Sequence, residues 1–232
     1  KQKYIVGLGA GVMDYLQVVD SFPVINTKIR SSEADLQGGG SAMTALVTLA
    51  HLGLPCLALT VVGDDPVGEM IVRDLANHDV GTKLIQKSTQ AHSSLSSVII
   101  TKQARTIVGH YELENKLNLQ KVKDSIWRSA LLLHVDGHHA KAALQAAKKV
   151  QVLGGLVSVD GGHASPDIDA LLPYADIMIM SETFMLERSK QKEIATQMKI
   201  LSQKYHPKVL IITRGEKGVW YWEDGKVKKL PA

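Results

Sequence analysis

Between residues 131 and 213 the chain alternates short, continuously apolar runs with longer stretches whose apolar residues return at helical spacing. The runs at 131–135, 156–160, 176–180 and 208–213 read as strands, and 141–152, 166–172 and 183–204 read as helices. A strand that is apolar on both faces must be covered on both, and an amphipathic helix buries one stripe. The pattern therefore predicts an α/β fold with a mainly parallel sheet. Residues 3–9 and 56–62 read as two further buried strands, and 219–222 with 226–230 as a hairpin about Asp224-Gly225, an Asp-Gly turn.

Composition agrees with a packed core: 45% of the 232 residues are hydrophobic and 22% charged. A net charge of +4, from 27 basic and 23 acidic residues, is too small and dispersed to argue for nucleic acid. The single cysteine, Cys56, excludes an internal disulfide and suits a reducing compartment. No apolar run is long enough to span a bilayer, so no membrane is expected and a cytoplasmic location is. No repeat, linker or low-complexity tract interrupts residues 1–232, which predicts one domain.

The first half has its own focus. Gly38-Gly39-Gly40 leads into Ser41, after which Ala42, Ala45, Leu46, Leu49 and Leu52 recur at helical spacing until Gly53 closes the segment. A glycine run before a helix lets a ligand approach the backbone, and the first-turn amides suit anions, hydroxyls or carboxylates. Gly7-Leu8-Gly9-Ala10-Gly11-Val12 superficially matches a dinucleotide fingerprint, but Val12 replaces its third glycine and strand-like sequence follows. Asp14 stands near the end of this first strand, where open α/β sheets bind ligands. Asp65, before Pro66, reads as the cap of a helix through Leu75. Irregular strands around 15–37 and a β-rich pair at 94–101 and 105–111 suggest a small flap, and a helix is expected over 121–128.

Other candidates stand at predicted strand ends. His134, Asp136 and His138 alternate along one extended segment and permit a metal-dependent hydrolase, with His163 a further ligand. The turn Thr213-Arg214-Gly215-Glu216-Lys217-Gly218 offers a hydroxyl and two glycines after a core strand, as a phosphate- or ribose-binding turn would.

Gly9-x-x-x-x-Asp14, Gly39-Gly40-Ser41-Ala42-Met43-Thr44-Ala45, Gly53, Val62-Gly63-Asp64-Asp65-Pro66-Val67-Gly68 and the 213–218 turn together resemble the ribokinase-like (PfkB) family of carbohydrate and nucleoside kinases. The resemblance implies a three-layer α/β sandwich with a small β lid, strands of which lie around 15–37 and 94–111 and often form a dimer interface. It also implies phosphorylation of a sugar hydroxyl by ATP with Mg2+, a nucleoside kinase being the alternative. By resemblance Asp14, Gly39, Gly40, Thr44 and Asp136 bind the sugar, and Ser181, Thr213, Gly215 and Gly218 border the nucleotide. Three departures accompany it. Thr44 stands where the family usually has Asn, and Ser181-Glu182-Thr183-Phe184 replaces an Asn-x-x-Glu motif, leaving Glu182 and Glu187 as acidic stand-ins. The family's Asp-Thr-x-Gly-Ala-Gly-Asp segment, with the catalytic base and anion hole, is not in this sequence. The resemblance puts the catalytic Asp beyond Ala232, so the expectation is a chain incomplete at its C-terminal part, with no catalytic residue of its own.

Overall fold

The computed structural model describes residues 3–113, 115–189 and 193–232. In chain order its elements are β1 (Tyr4–Leu8), β2 (Val12–Val18), β3 (Glu33–Gly39), α1 (Ser41–His51), β4 (Cys56–Leu59), β5 (Val61–Gly63) and α2 (Pro66–Asn77). There follow β6 (Gln86–Ser88), β7 (Ser94–Ile100), β8 (Arg105–His110), α3 (Asp124–Ser129), β9 (Ala130–Val135), α4 (Ala140–Val152) and β10 (Leu156–Gly161). The last are α5 (Pro166–Leu171), β11 (Ile177–Ser181), α6 (Glu182–Arg188), α7 (Ile194–Tyr205), β12 (Val209–Thr213), β13 (Val219–Glu223) and β14 (Lys226–Leu230). The chain packs as two compact units, one of residues 1–9 with 118–232 and the other of residues 10–117.

The first unit is the predicted parallel sheet. Its strands run in the order β14-β13-β12-β11-β10-β9-β1, with β1 and β9 to β12 parallel and only β13 and β14 antiparallel. Val6, Leu8, Leu133, Val135, Val157, Val159, Met178, Met180 and Ile212 are all fully buried, which is why these strands carry no polar alternation. Helix α4 buries Ala142, Ala143, Ala146, Ala147 and Val150, a stripe of small residues that lets its axis come close to the sheet. Parallel pairing puts the carboxyl ends of β1, β9, β10, β11 and β12 along one edge, where Gly9, Asp136, Asp160, Ser181 and Thr213 stand. The expected hairpin is present, with Asp224 and Gly225 at φ 50° and 75° as its central residues.

The second unit holds a four-stranded sheet, β3-β2-β7-β8, together with α1, α2, β4 and the β5–β6 pair. Strand β2 is antiparallel to β3 and parallel to β7, and β7 and β8 form the predicted hairpin. Asp65 caps α2 as expected, accepting from Gly68 N at 2.7 Å, with Pro66 in the first turn.

Five local expectations change. Asp14, expected near the end of the first strand, is the third residue of β2, paired with Gln37 and Ser96 in the four-stranded sheet. The helix expected over 183–204 is two, α6 and α7, because residues 187–193 are polar throughout and offer no apolar side chain to hold a helix on the sheet. Part of that stretch, residues 190–192, lies outside the described residues. The strand expected over 56–62 divides at the buried Thr60, whose hydroxyl accepts from Gly11 N at 3.0 Å. Residues 119–121 form a 3-10 turn, and the helix expected from 121 starts only at Asp124. Finally, Gly38 and Gly39 are the last residues of β3, so Gly40 alone separates strand from helix.

Candidate active site

In the second unit the junction of β3 and α1 brings Asp14, Gly39 and Gly40 together. Gly40 is the N-cap of α1 at φ 92°, a backbone only glycine adopts readily, and it supplies no capping side chain to the first turn. A Cβ on Gly40 would meet the Ala10 carbonyl oxygen at 2.1 Å, so the site tolerates no larger residue. A Cβ on Gly39 would lie 2.2 Å from Asp14 Oδ2; the bare backbone of Gly39 is the floor on which this carboxylate rests. Burial raises the Asp14 carboxyl above its ordinary value, opposed by a hydrogen bond from Ser96 and the charge of Arg105. Thr44 sits one turn into α1 and is exposed. It lines a cavity of about 230 Å³ with Gln37, Gly38, Met43, Asp74 and His78.

In the first unit Asp136 follows β9 and lies against Gly9, where a Cβ would meet its Oδ2 at 2.3 Å. Its Oδ1 accepts from His138 N at 3.1 Å. Asp160, at the end of β10, is raised to about 6 by burial and by the charge of Asp136. The His134 ring is buried against Ser158, Nδ1 to Oγ 3.1 Å, and burial holds it below its ordinary value. His163 instead pairs with Glu187 at 3.0 Å. Among the described residues no three His, Cys, Asp or Glu side chains could hold a metal ion together, so the hydrolase built on His134, Asp136 and His138 finds no support.

Ser181 caps α6, its hydroxyl accepting from Phe184 N at 2.9 Å and donating to the Gly162 carbonyl at 2.5 Å. Phe184, where the Asn-x-x-Glu motif would have its Glu, is fully buried. The turn after β12 is a 3-10 turn that begins at Gly215 and is followed by Gly218, at φ 55° and 79°, with Thr213 exposed at its entry. Residues after β14 lie against this turn: a Cβ on Gly218 would meet Ala232 N at 2.9 Å. Ala232 is exposed there and brings no acid or base to the turn, and the catalytic aspartate expected beyond Ala232 lies outside the described residues.

Sequence reasoning missed what gathers at the turn. Glu182 accepts from Arg214 Nε at 3.0 Å and pairs with Lys217 at 3.4 Å, while the Arg214 guanidinium lies 4.0 Å from the Trp220 ring centre. The sequence marks Glu182 only as an acidic stand-in, and nothing near it points to cations that are 32 and 35 residues away. The donor set of this turn fits the phosphates of a nucleotide: an exposed hydroxyl and two cations already drawn together by one carboxylate. The described residues offer no comparable cluster for Mg2+.

The sequence profile of the pfkB family carbohydrate kinase matches residues 2–232. A ribokinase of Dictyostelium discoideum is 24% identical over 185 residues, 77% of this chain and 58% of the relative. A nucleoside kinase of Methanocaldococcus jannaschii is 24% identical over 98% of this chain and 75% of its own length. The structure of Arabidopsis thaliana ribokinase complexed with ribose and ATP superposes with a TM-score of 0.78 at 18% identity, covering 100% of this chain and 78% of that one. The chain thus spans little more than half of the Dictyostelium relative and three quarters of the archaeal one. The mostly parallel sheet, the four-stranded sheet beside a glycine-led helix, and the match along nearly the whole sequence have one reading: the chain belongs to the pfkB family of carbohydrate kinases.

Proposed function

We propose that the protein transfers a phosphoryl group from ATP to a hydroxyl of a small sugar. One observation carries this: the Asp14 carboxylate lies on the bare backbone of Gly39, beside the glycine-started N-terminus of α1. A carboxylate that accepts from sugar hydroxyls next to amides that donate to them is the complement of a polyol. Asp14, Gly39 and Gly40 hold the sugar, with Thr44 as a further hydroxyl partner. Thr213, Gly215 and Gly218 shape the turn that borders ATP, and the Ser181 cap fixes the start of α6 beside Glu182. Arg214 and Lys217 face the charge that spreads over the phosphate oxygens as the group transfers. Mg2+ would supply further charge neutralisation, and no residue of this chain is assigned to it. The base that takes the hydroxyl proton is not assigned among these residues either. The exposed Tyr15, Leu36 and Val108, which register places on the face of the four-stranded sheet away from Asp14, suit a homodimer through this lid, and ATP as donor suits the cytoplasm.

The nucleoside kinase of M. jannaschii, matching 98% of this chain, supports a nucleoside acceptor as the second reading. The test is ATP consumption by the full-length protein against D-ribose, D-fructose and adenosine. Turnover of a sugar in preference to adenosine is expected; no turnover with any of the three refutes the kinase function.

A further inference from the structure

One cross-strand row of the four-stranded sheet links Asp14 to residues that no motif marks. Gln37 on β3, Asp14 on β2, Ser96 on β7 and Gly109 on β8 are successive register partners and so share one face. Ser96 is 1% exposed and is the cross-strand partner of Asp14, a place from which its hydroxyl acts as a hydrogen-bond donor that lowers the Asp14 carboxyl. Gly109 leaves the last place in the row empty of side chain. A Cβ there would meet the Tyr111 ring at 2.4 Å, so Tyr111, just past the end of β8, folds back over Gly109. Its hydroxyl then lies 3.4 Å from Ser96 Oγ. A serine hydroxyl has one proton; with that proton on the carboxylate, Ser96 accepts from Tyr111. Arg105 of β8 and Glu33 and Asp35 of β3 are the charged side chains that register places on the same face.

We propose that Ser96 and Tyr111 are positioning residues for Asp14: Tyr111 orients the Ser96 hydroxyl, and Ser96 holds the carboxylate in the rotamer that accepts substrate hydroxyls. This rests on Asp14 binding the sugar, as argued above. Gly39 limits the carboxylate from below and Ser96 ties it from the side, which leaves its remaining lone pairs with a fixed direction. A substrate hydroxyl then meets an acceptor that needs no reorganisation.

The test is steady-state kinetics of the full-length protein with whichever of D-ribose, D-fructose and adenosine it phosphorylates, from about pH 5 to about pH 8. Ser96→Ala is expected to raise KM for that acceptor about tenfold while kcat and KM for ATP stay within about twofold. Its acid limb of kcat/KM moves to higher pH, because the hydrogen bond that lowers the Asp14 carboxyl is gone. Tyr111→Phe keeps the ring over Gly109 and is expected to raise the same KM about threefold. In the Ser96→Ala background Tyr111→Phe adds nothing further, since its effect passes through Ser96. Thermal unfolding reports whether each variant folds; should Ser96→Ala not fold, the KM and acid limb of Tyr111→Phe decide alone. An unchanged KM and acid limb, with the wild type active, overturn the positioning role and leave the kinase function standing. Effects of the two variants that simply add overturn the relay. A wild type that phosphorylates none of the three acceptors overturns the kinase function itself.

Discussion

Asp160→Asn isolates the energetic consequence of placing two carboxylates at adjacent strand ends. Val159 of β10 pairs with Val135 of β9, so Asp160 and Asp136 each stand one residue beyond that pair. Burial first, and the Asp136 charge second, raise Asp160 from an ordinary 3.8 to about 6. A carboxyl raised on folding favours the folded state while it is protonated. That contribution is complete below the ordinary value and is lost as pH rises through about 6. At about 1.36 kcal/mol per pH unit, the full loss above that point is roughly 3 kcal/mol, an upper limit because water relaxes around a half-buried group. Asparagine has the same shape without the charge. Asp160→Asn should therefore stabilise the protein by up to about 3 kcal/mol near pH 7.5 and by almost nothing near pH 4. Urea unfolding followed by tryptophan fluorescence at both pH values measures the difference. Asp136→Asn should give a smaller gain through Asp160, since burial is the larger cause. An Asp160→Asn stability change that is the same at both pH values would refute the reasoning.

Three further outcomes are expected. Asp14→Asn should weaken sugar binding by roughly 1.5–3 kcal/mol while ATP binding changes little, measured by calorimetry; a lower melting temperature with unchanged sugar affinity would reduce Asp14 to a structural role. Burial pushes the Asp65 carboxyl up, but hydrogen bonds from Ser93 and Gly68 outweigh it and hold the carboxyl low. Asp65→Ala should thus cost about 2 kcal/mol in urea unfolding at neutral pH, and less as pH falls through the lowered value, where the wild type loses the same contribution. Val108→Lys, on an edge strand that is exposed throughout, should shift a homodimer toward monomer in sedimentation at fixed concentration; an unchanged mass would place any association elsewhere.

Much of this protein was written locally. Strand and helix periods from 131 to 213 determined the parallel sheet, because a run apolar on both faces has no other way to be covered. The Asp65-Pro66 start of α2, the Asp224-Gly225 turn and the β7–β8 hairpin were equally legible, since each depends on a few adjacent residues. The helix that follows Gly40 was legible as well, though Gly38 and Gly39 as strand residues were not, because pairing with Met13 and Val12 makes them so. What only the tertiary structure decided depends on residues far apart in sequence. Ser96 reaches Asp14 by strand register, and Glu182 meets Arg214 because β11 and β12 are neighbours in the sheet. His134, Asp136 and His138 share a period but not a site, since one is buried inside the sheet while Asp136 turns onto Gly9. Local spacing fixes which way a side chain leaves its own backbone; only packing determines what it meets.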